Sequence, residues 1–141
     1  MDQPAETARR TADAMARADT AAREAGIRLV SVEPGGAVVA LTVAERHLNG
    51  HAICHGGIVF LLADAALAYA SNSHGLSAVA SGADISFLRP AALGDELVAS
   101  AVERARSGRS GLYDVTVRAG DLVVAELRGR TRQVPGLTAP T

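Results

Sequence analysis

The residues of this chain that are best suited to catalysis lie between Asn49 and Asp64. Gly56 and Gly57 begin an apolar run that is typical of a buried helix, and Asp64 interrupts that run two turns further along. The first N–H groups of a helix have no partner within it, so they can stabilise a developing oxyanion. A carboxylate on the same helix face can act as a base or as a nucleophile. This segment therefore holds the candidate catalytic groups.

The spacing of these groups favours a site that two subunits share. Gly57 and Asp64 share a helix face but lie roughly 10 Å apart along its axis. An oxyanion donor and a base must each lie within about 3 Å of the reacting group, which a single helix would struggle to achieve. Two antiparallel copies of the helix would bring Gly57 of one subunit near Asp64 of the other.

Each candidate also has a purely structural interpretation. Gly57 can serve a tight turn, and Asp64 can pair with a buried donor, since an unpaired buried charge is costly. The Asn-Gly dipeptide that begins at Asn49 is a turn signal, and His55 can hold its loop.

Six strand-like runs and two helical runs must position this segment. Pro4 to Ala25 predicts a surface helix with Gly26 as its C-cap, and Gly56 to Asn72 predicts a long helix buried on most sides. The predicted strands are Ile27–Glu33, Ala37–Ala44, Ala78–Leu88, Glu96–Arg104, Leu112–Arg118 and Leu122–Arg132. Strands grouped on either side of one helix predict an α+β fold, in which an antiparallel sheet wraps around that helix.

Composition excludes several other classes of protein. A chain of 141 residues predicts a single domain over 1–141, with a flexible tail at Pro135–Thr141. A net charge of −1, few aromatic residues and no long apolar span argue against a nucleic-acid or membrane partner. The lone cysteine and the lack of an apolar leader predict a cytoplasmic protein.

Neither a metal site nor a cysteine nucleophile is expected. His51 and His55 lack the further ligands, at ligand spacing, that a metal would need. Cys54 lacks the histidine and asparagine pairing of a cysteine hydrolase, so we interpret it as a buried structural thiol.

The order of elements and several motifs resemble the hotdog-fold acyl-CoA thioesterases. The motifs are Asn49-Gly50-His51, Cys54-His55-Gly56-Gly57, Leu62-Ala63-Asp64, Phe87-Leu88-Arg89-Pro90 and Gly111-Leu112-Tyr113-Asp114. The resemblance is in particular to the phenylacetic acid degradation (PaaI-type) thioesterases. It implies a hotdog fold, hydrolysis of phenylacetyl-CoA or hydroxyphenylacetyl-CoA, and a homodimer with shared sites that often doubles into a homotetramer. Coenzyme A would be part of the substrate, so no cofactor is implied.

The resemblance also assigns roles to residues. Asp64 corresponds to the catalytic carboxylate, which either attacks the thioester or activates water, and the Gly57 N–H corresponds to the oxyanion donor. Asn49 and His55 would assist at the thioester. The residues expected to bind the acyl group or coenzyme A are Gly56, Phe60, Ala68, Ser71, Ser81, Arg89, Pro90, Arg106, Gly108 and Arg109.

One departure and two rival functions remain. Some relatives hold the water with a hydroxyl one turn after the acid, but that turn reads Ala65-Ala66-Leu67-Ala68 here, which leaves Asn49 or Ser71 as substitutes. The rivals are an acyl-CoA-binding regulator without turnover and a hydratase or dehydratase of the same fold. Asp64 argues against the regulator, and the acid and histidine pair of the dehydratases is not found.

Overall fold

The computed structural model describes residues 2–137 and has one antiparallel sheet of six strands with a long helix packed on it. The sheet order is β1-β2-β4-β5-β6-β3. The elements are α1 (Gln3–Ala18), α2 (Thr20–Ala25), β1 (Arg28–Glu33), β2 (Gly36–Thr42), α3 (Gly56–Asn72), β3 (Ala78–Phe87), β4 (Glu96–Ser107), β5 (Ser110–Ala119) and β6 (Leu122–Gln133). The α+β prediction and the predicted bounds of the long helix are both confirmed.

The core lies between α3 and the sheet face that it covers. Leu62 and Leu67 of α3 are fully buried, as are alternate residues of the central strands such as Val115 and Val117. Gly129 on β6 sets the distance between helix and sheet, because a Cβ there would lie 2.7 Å from the Leu67 side chain. The buried contacts therefore hold α3 in one position over the sheet.

The predicted N-terminal helix is two helices that meet at Asp19. The Asp19 N–H donates to the Met15 carbonyl oxygen at 2.9 Å and ends α1, while its carboxylate accepts from Ala22 N at 3.0 Å and caps α2. Helix propensity alone did not reveal this break, because aspartate at a cap satisfies groups that a continuous helix would bond internally. Gly26 is the predicted C-cap, with φ of 87°.

Strand β3 is an edge of the sheet. It pairs with β6 on one side, and no residue in the range 2–137 pairs with its other side. Asp84 is the one ionisable residue on this ten-residue strand. A long edge with so little charge is a ready template for another strand.

Part of the predicted flexible tail lies in a turn. The Val134 N–H donates to the Ser77 carbonyl oxygen at 3.0 Å, and the Leu137 N–H donates to the Val134 carbonyl oxygen at 3.1 Å. The remainder of that tail lies outside the described residues. No helix among residues 2–137 is both long and apolar enough to cross a membrane.

Candidate active site

The start of α3 presents the two glycines, and His55 caps it. The His55 Nδ1 accepts the Gly57 N–H at 3.0 Å, while the His55 carbonyl oxygen accepts from Ile58 N at 2.9 Å. An Nδ1 that accepts a hydrogen bond carries no proton, which leaves Nε2 as the donor nitrogen of the ring. Both His55 and Gly57 are exposed, so a turn of the ring would release the Gly57 N–H to another acceptor.

Asn49 holds its loop in place and also keeps amide donors available to a ligand. Its Oδ1 accepts from the backbone of His51 at 2.9 Å and of Ile53 at 3.3 Å, so it holds the loop before α3. Its Nδ2 makes no hydrogen bond within residues 2–137. Because the oxygen is fixed by the loop, the amide donors have a defined direction and remain available to a ligand.

Asn49 and the start of α3 line a groove of about 390 Å³, which we call the amide groove. Its wall is the segment that follows β3, where Arg89 and Pro90 lie. The Arg89 side chain is exposed and pairs with no acid in the described part of the chain. The lining residues are Asn49, Ile53, Cys54, Gly56, Val59, Phe87, Leu88, Arg89, Pro90 and Ala91.

Asp64 lies in a second groove of about 390 Å³, which we call the carboxylate groove. Asp64, Ala68 and Asn72 form one stripe of α3 along it, and Met15 of α1 and the start of β3 complete its walls. The lining residues are Met15, Asp64, Ala68, Asn72, Ser77, Ala78, Val79, Ala80 and Leu137. Asp64 is thus the one ionisable group in an otherwise uncharged groove.

The carboxylate of Asp64 is half-buried and has no partner among residues 2–137. Burial raises its pKa, and the negative charge of Asp19 raises it further. A purely structural role would require a buried donor beside Asp64, and no described residue provides one. The geometry therefore favours an aspartate that is kept free for chemistry.

A single chain does not bring these two grooves together, because they have no lining residue in common. Gly57 and Asp64 are on the same helix, as the spacing predicted, and their separation of roughly 10 Å follows from the helical rise. Within one chain, the start of α3 and Asp64 therefore line separate grooves.

The comparisons with known proteins identify the family. A family model described as the thioesterase superfamily matches residues 51–126, which contain the helix start, Asp64 and most of the sheet. The chain belongs to the thioesterase superfamily. The expected hotdog fold and the resemblance to PaaI-type thioesterases are confirmed with it.

Individual relatives agree with this assignment. The thioesterase is 46% identical over 126 residues to the acyl-coenzyme A thioesterase PaaI of Escherichia coli (strain K12), which covers 89% of this chain and 90% of that one. The solved structure of the E. coli PaaI protein from the phenylacetic acid degradation operon matches with a TM-score of 0.91 and 44% identity, over 94% of this chain and 96% of that one. The smu.793 protein of Streptococcus mutans, solved with acetyl CoA bound, matches with a TM-score of 0.74 and 28% identity, over 77% of this chain and 88% of that one.

Several predicted site residues of the thioesterase lie outside both grooves. Ser71 is 7% exposed and its hydroxyl donates to the Ala68 carbonyl oxygen at 3.3 Å, so it cannot hold a water in the carboxylate groove without moving. Phe60 is half-buried against the core. Ser81 faces a separate groove beside Gly111 and Thr131.

The predicted coenzyme A residues of the thioesterase separate into two places. Arg89 and Pro90 line the amide groove, whereas Gly108 and Arg109 lie in the turn between β4 and β5. Arg106, next to that turn, is engaged by the Glu103 carboxylate at 3.2 Å.

Glu103 also accepts hydrogen bonds from His74 at 2.8 Å and from Tyr113 at 3.0 Å. Burial alone would raise the pKa of Glu103, but the His74 and Tyr113 hydrogen bonds outweigh it and lower the pKa. Sequence reasoning missed this cluster, because the register of β4 with β5 pairs Glu103 with Tyr113, and tertiary packing brings His74 to them from the segment after α3.

Sequence reasoning also missed three residues around the carboxylate groove. Met15 and Leu137 come from opposite ends of the chain and line the groove with Asp64. Asn72 joins the end of α3 to the start of β3, since its amide bonds to both backbone groups of Ala78 at 3.0 Å. No local pattern marks the first two, because tertiary packing alone brings them there. Within residues 2–137, no group of three or more potential metal ligands is present.

Proposed function

We propose that this thioesterase hydrolyses acyl-CoA thioesters of the aryl-acetyl class, such as phenylacetyl-CoA and hydroxyphenylacetyl-CoA, to the free acid and coenzyme A. The observation that carries the proposal is the unpartnered Asp64 in a largely apolar groove, on the same helix as a glycine start that can bind an oxyanion. The names of the E. coli relatives support the acyl-CoA substrate and the link to phenylacetate degradation.

The proposed active site joins the amide groove of one subunit to the carboxylate groove of another. The two grooves adjoin opposite ends of β3, because Ala78 lines the carboxylate groove and Phe87 lines the amide groove. If two copies pair antiparallel through their free β3 edges, the Ala78 end of one lies beside the Phe87 end of the other. Each dimer then has two sites, and each site has an oxyanion donor from one chain and a carboxylate from its partner.

The reaction follows from these positions. The thioester oxygen displaces the His55 ring from the Gly57 N–H, and this N–H then stabilises the negative charge that develops on the oxygen. In the general-base route, Asp64 accepts a proton from water, and the water oxygen bonds to the carbonyl carbon. The carbon–sulfur bond then breaks, and the proton passes from Asp64 to the leaving thiolate. The Nδ2 of Asn49 can orient either the thioester or the water.

The same pairing brings together the predicted coenzyme A residues. Arg106 pairs with Gly111, Gly111 with Thr131, and Thr131 with Ala80, so the turn that carries Gly108 and Arg109 lies at the carboxylate end of the sheet. In the β3-paired dimer this turn approaches the Arg89 of the partner chain. Guanidinium groups from both chains can then hold the phosphates of coenzyme A.

Arg89→Ala is expected to raise KM for phenylacetyl-CoA about tenfold with a smaller effect on kcat, because a charge-assisted contact to a phosphate is lost. Steady-state kinetics with a thiol-release assay measures both parameters. The matched control is Arg10→Ala, an exposed arginine of α1 outside both grooves, which should leave KM unchanged. An unchanged KM in Arg89→Ala would remove Arg89 from the phosphate site.

Asp19→Asn is expected to move the acid limb of the kcat/KM profile to lower pH. The charge of Asp19 raises the pKa of Asp64, so its removal lowers that pKa and keeps the base ionised at more acidic pH. Asparagine retains a side-chain oxygen that can accept the Ala22 N–H. The control is Asp13→Asn, an equal charge change at an exposed position of α1. The coupling is contradicted if both variants titrate like the wild type.

The test of the function is thiol release from a panel of acyl-CoA esters, with binding measured in parallel. Release from the aryl-acetyl esters supports hydrolysis. A wild-type protein that binds the esters and releases no thiol is a regulator instead, and addition of water to an enoyl-CoA would indicate a hydratase. Analytical ultracentrifugation tests the dimer, since an active monomer excludes a shared site.

The proposal also covers the extent of the domain, its location in the cell and its assembly. We propose a single hotdog domain over residues 1–141, a cytoplasmic location and a tetramer made of two dimers. The sheet face opposite α3 carries both signs of charge, with Asp114 held by Arg128 at 2.7 Å and by Arg104 at 3.4 Å, so it can complement a second copy of itself. The same sedimentation experiment distinguishes dimer from tetramer.

A further inference from the structure

The N-terminal helix α1 contributes a wall of the carboxylate groove. Met15, near its C-terminal end, lines the groove together with Asp64 and Ala68 of α3. The helix is fixed in place, because Ala8 and Ala12 are almost completely buried. Met15 is itself half-buried and packs against the core beneath it.

The corner between α1 and α2 is locked by hydrogen bonds. Asp19 ends α1 and caps α2, as described above. The far end of α2 is tied to the loop that leads to α3, because the buried His47 ring bonds to the Ala25 carbonyl oxygen at 2.8 Å. The other ring nitrogen of His47 accepts the Ala44 N–H, so the nitrogen facing Ala25 carries the proton and donates. These contacts hold the Met15 wall at a set distance from α3.

The groove that Met15 faces suits an apolar acyl group. Asp64 is its one ionisable lining residue, and the polar side chain of Asn72 is occupied by backbone groups of Ala68 and Ala78. On the α3 side of the groove the Ala68 side chain is small. The space between α3 and the α1 wall therefore depends on the larger side chain of Met15. Methionine is flexible and adapts its shape to an irregular apolar neighbour.

We propose that Met15 is a specificity-determining residue, whose side chain limits the size of the acyl group that lies in the carboxylate groove. This inference rests on the proposed hydrolysis of acyl-CoA thioesters and adds to it the residue that selects among them. Met15 takes no part in the chemistry, so its replacement should redistribute activity among acyl groups instead of abolishing it.

The test compares kcat/KM for acetyl-CoA, phenylacetyl-CoA and 4-phenylbutanoyl-CoA. Met15→Ala is expected to raise the ratio of 4-phenylbutanoyl to phenylacetyl activity about tenfold, because space opens along the wall. Met15→Phe is expected to lower the ratio of phenylacetyl to acetyl activity by a similar factor. Met15→Leu, which conserves volume, should keep both ratios near those of the wild type.

Arg10→Ala, on the exposed part of α1, is the control and should change neither ratio. Circular dichroism of each variant establishes that it is folded, and the ratios within one variant are insensitive to the fraction of active protein. If the wild type hydrolyses these esters and the Met15 variants keep its ratios, this inference is overturned while the proposed function stands. If the wild type releases no thiol from any ester, the proposed function fails and the inference fails with it.

Discussion

Asp64→Asn is expected to lower kcat for phenylacetyl-CoA about a thousand-fold, since a positioned base contributes on the order of 10²–10⁴ to a rate. Asparagine has nearly the same shape but can neither accept a proton at neutral pH nor form an anhydride. KM should change little, because asparagine keeps the volume of the side chain and the proposed phosphate contacts come from arginines. Steady-state kinetics of the purified variant measures both parameters.

The same substitution should leave the fold at least as stable. Burial raises the pKa of Asp64, which means that the folded state disfavours its charged form relative to the unfolded chain. At neutral pH the ionised aspartate therefore costs stability, and a neutral amide removes that cost. Thermal unfolding should give an equal or higher midpoint, which separates a lost base from a damaged fold.

Asp121→Asn is the matched control, because that aspartate is exposed in the turn between β5 and β6. It should keep wild-type kcat. If Asp64→Asn retains most of its activity, this carboxylate has no role in the mechanism, whatever activity the control variant shows.

The first turnover in ¹⁸O-labelled water distinguishes the two roles of Asp64. If the carboxylate attacks the thioester and water opens the resulting anhydride at the aspartyl carbon, the first product acid carries an unlabelled oxygen from the protein, which only this route can supply. If Asp64 activates water, the first product acid is already labelled. Mass spectrometry of the acid, with enzyme in excess over substrate, gives the answer.

Local sequence signals predicted the elements of this fold well. The start of α3 follows from the glycines after His55, and its end follows from the polar residues before Gly75, so the predicted bounds are those observed. The strands were placed to within a few residues, because Gly and Pro punctuate apolar runs. The break at Asp19 was missed, since a capping aspartate and an exposed helical aspartate look alike in sequence.

The candidate site was predictable only as far as it is local. Asn49, Gly56 and Arg89 share one groove, yet the sequence could not show that Ser71 is turned back onto the Ala68 carbonyl. Nor could it show that Met15 lines the same groove as Asp64. Contacts between distant segments depend on how α3 packs against the sheet, and no periodicity in the sequence specifies this packing.

The hydrogen bond from the Gly57 N–H to His55 shows how a mutation at the helix start can test the proposed oxyanion donor. The Gly57 N–H makes no backbone hydrogen bond within α3. A proline at this position therefore removes this donor and no hydrogen bond of the helix. The chain already has Pro4 at the corresponding position of α1. Gly57→Pro is therefore expected to fold and to lower kcat about 10²–10³-fold through loss of the oxyanion contact.

Gly57→Ala is the matched control for Gly57→Pro because it adds a side chain and keeps the N–H. Its Cβ would lie 3.2 Å from the His55 Nδ1, and the exposed ring can yield by the few tenths of an ångström required. Alanine should retain a large part of kcat. Equal losses in the alanine and proline variants would indicate crowding of the site, and would contradict the role of the N–H as a donor.

Co-expression of Gly57→Pro chains with Asp64→Asn chains tests whether sites are shared. If each site takes its donor and its carboxylate from different chains, a hybrid dimer has one intact site and one that lacks both groups. Random assortment makes about half of the dimers hybrid, so about a quarter of wild-type activity should return. If each site belongs to one chain, every site in the mixture has one defect, and the activity stays as low as that of the two parent variants. The recovered fraction therefore decides between a shared site and a site within one helix, independently of which acyl group is the natural substrate.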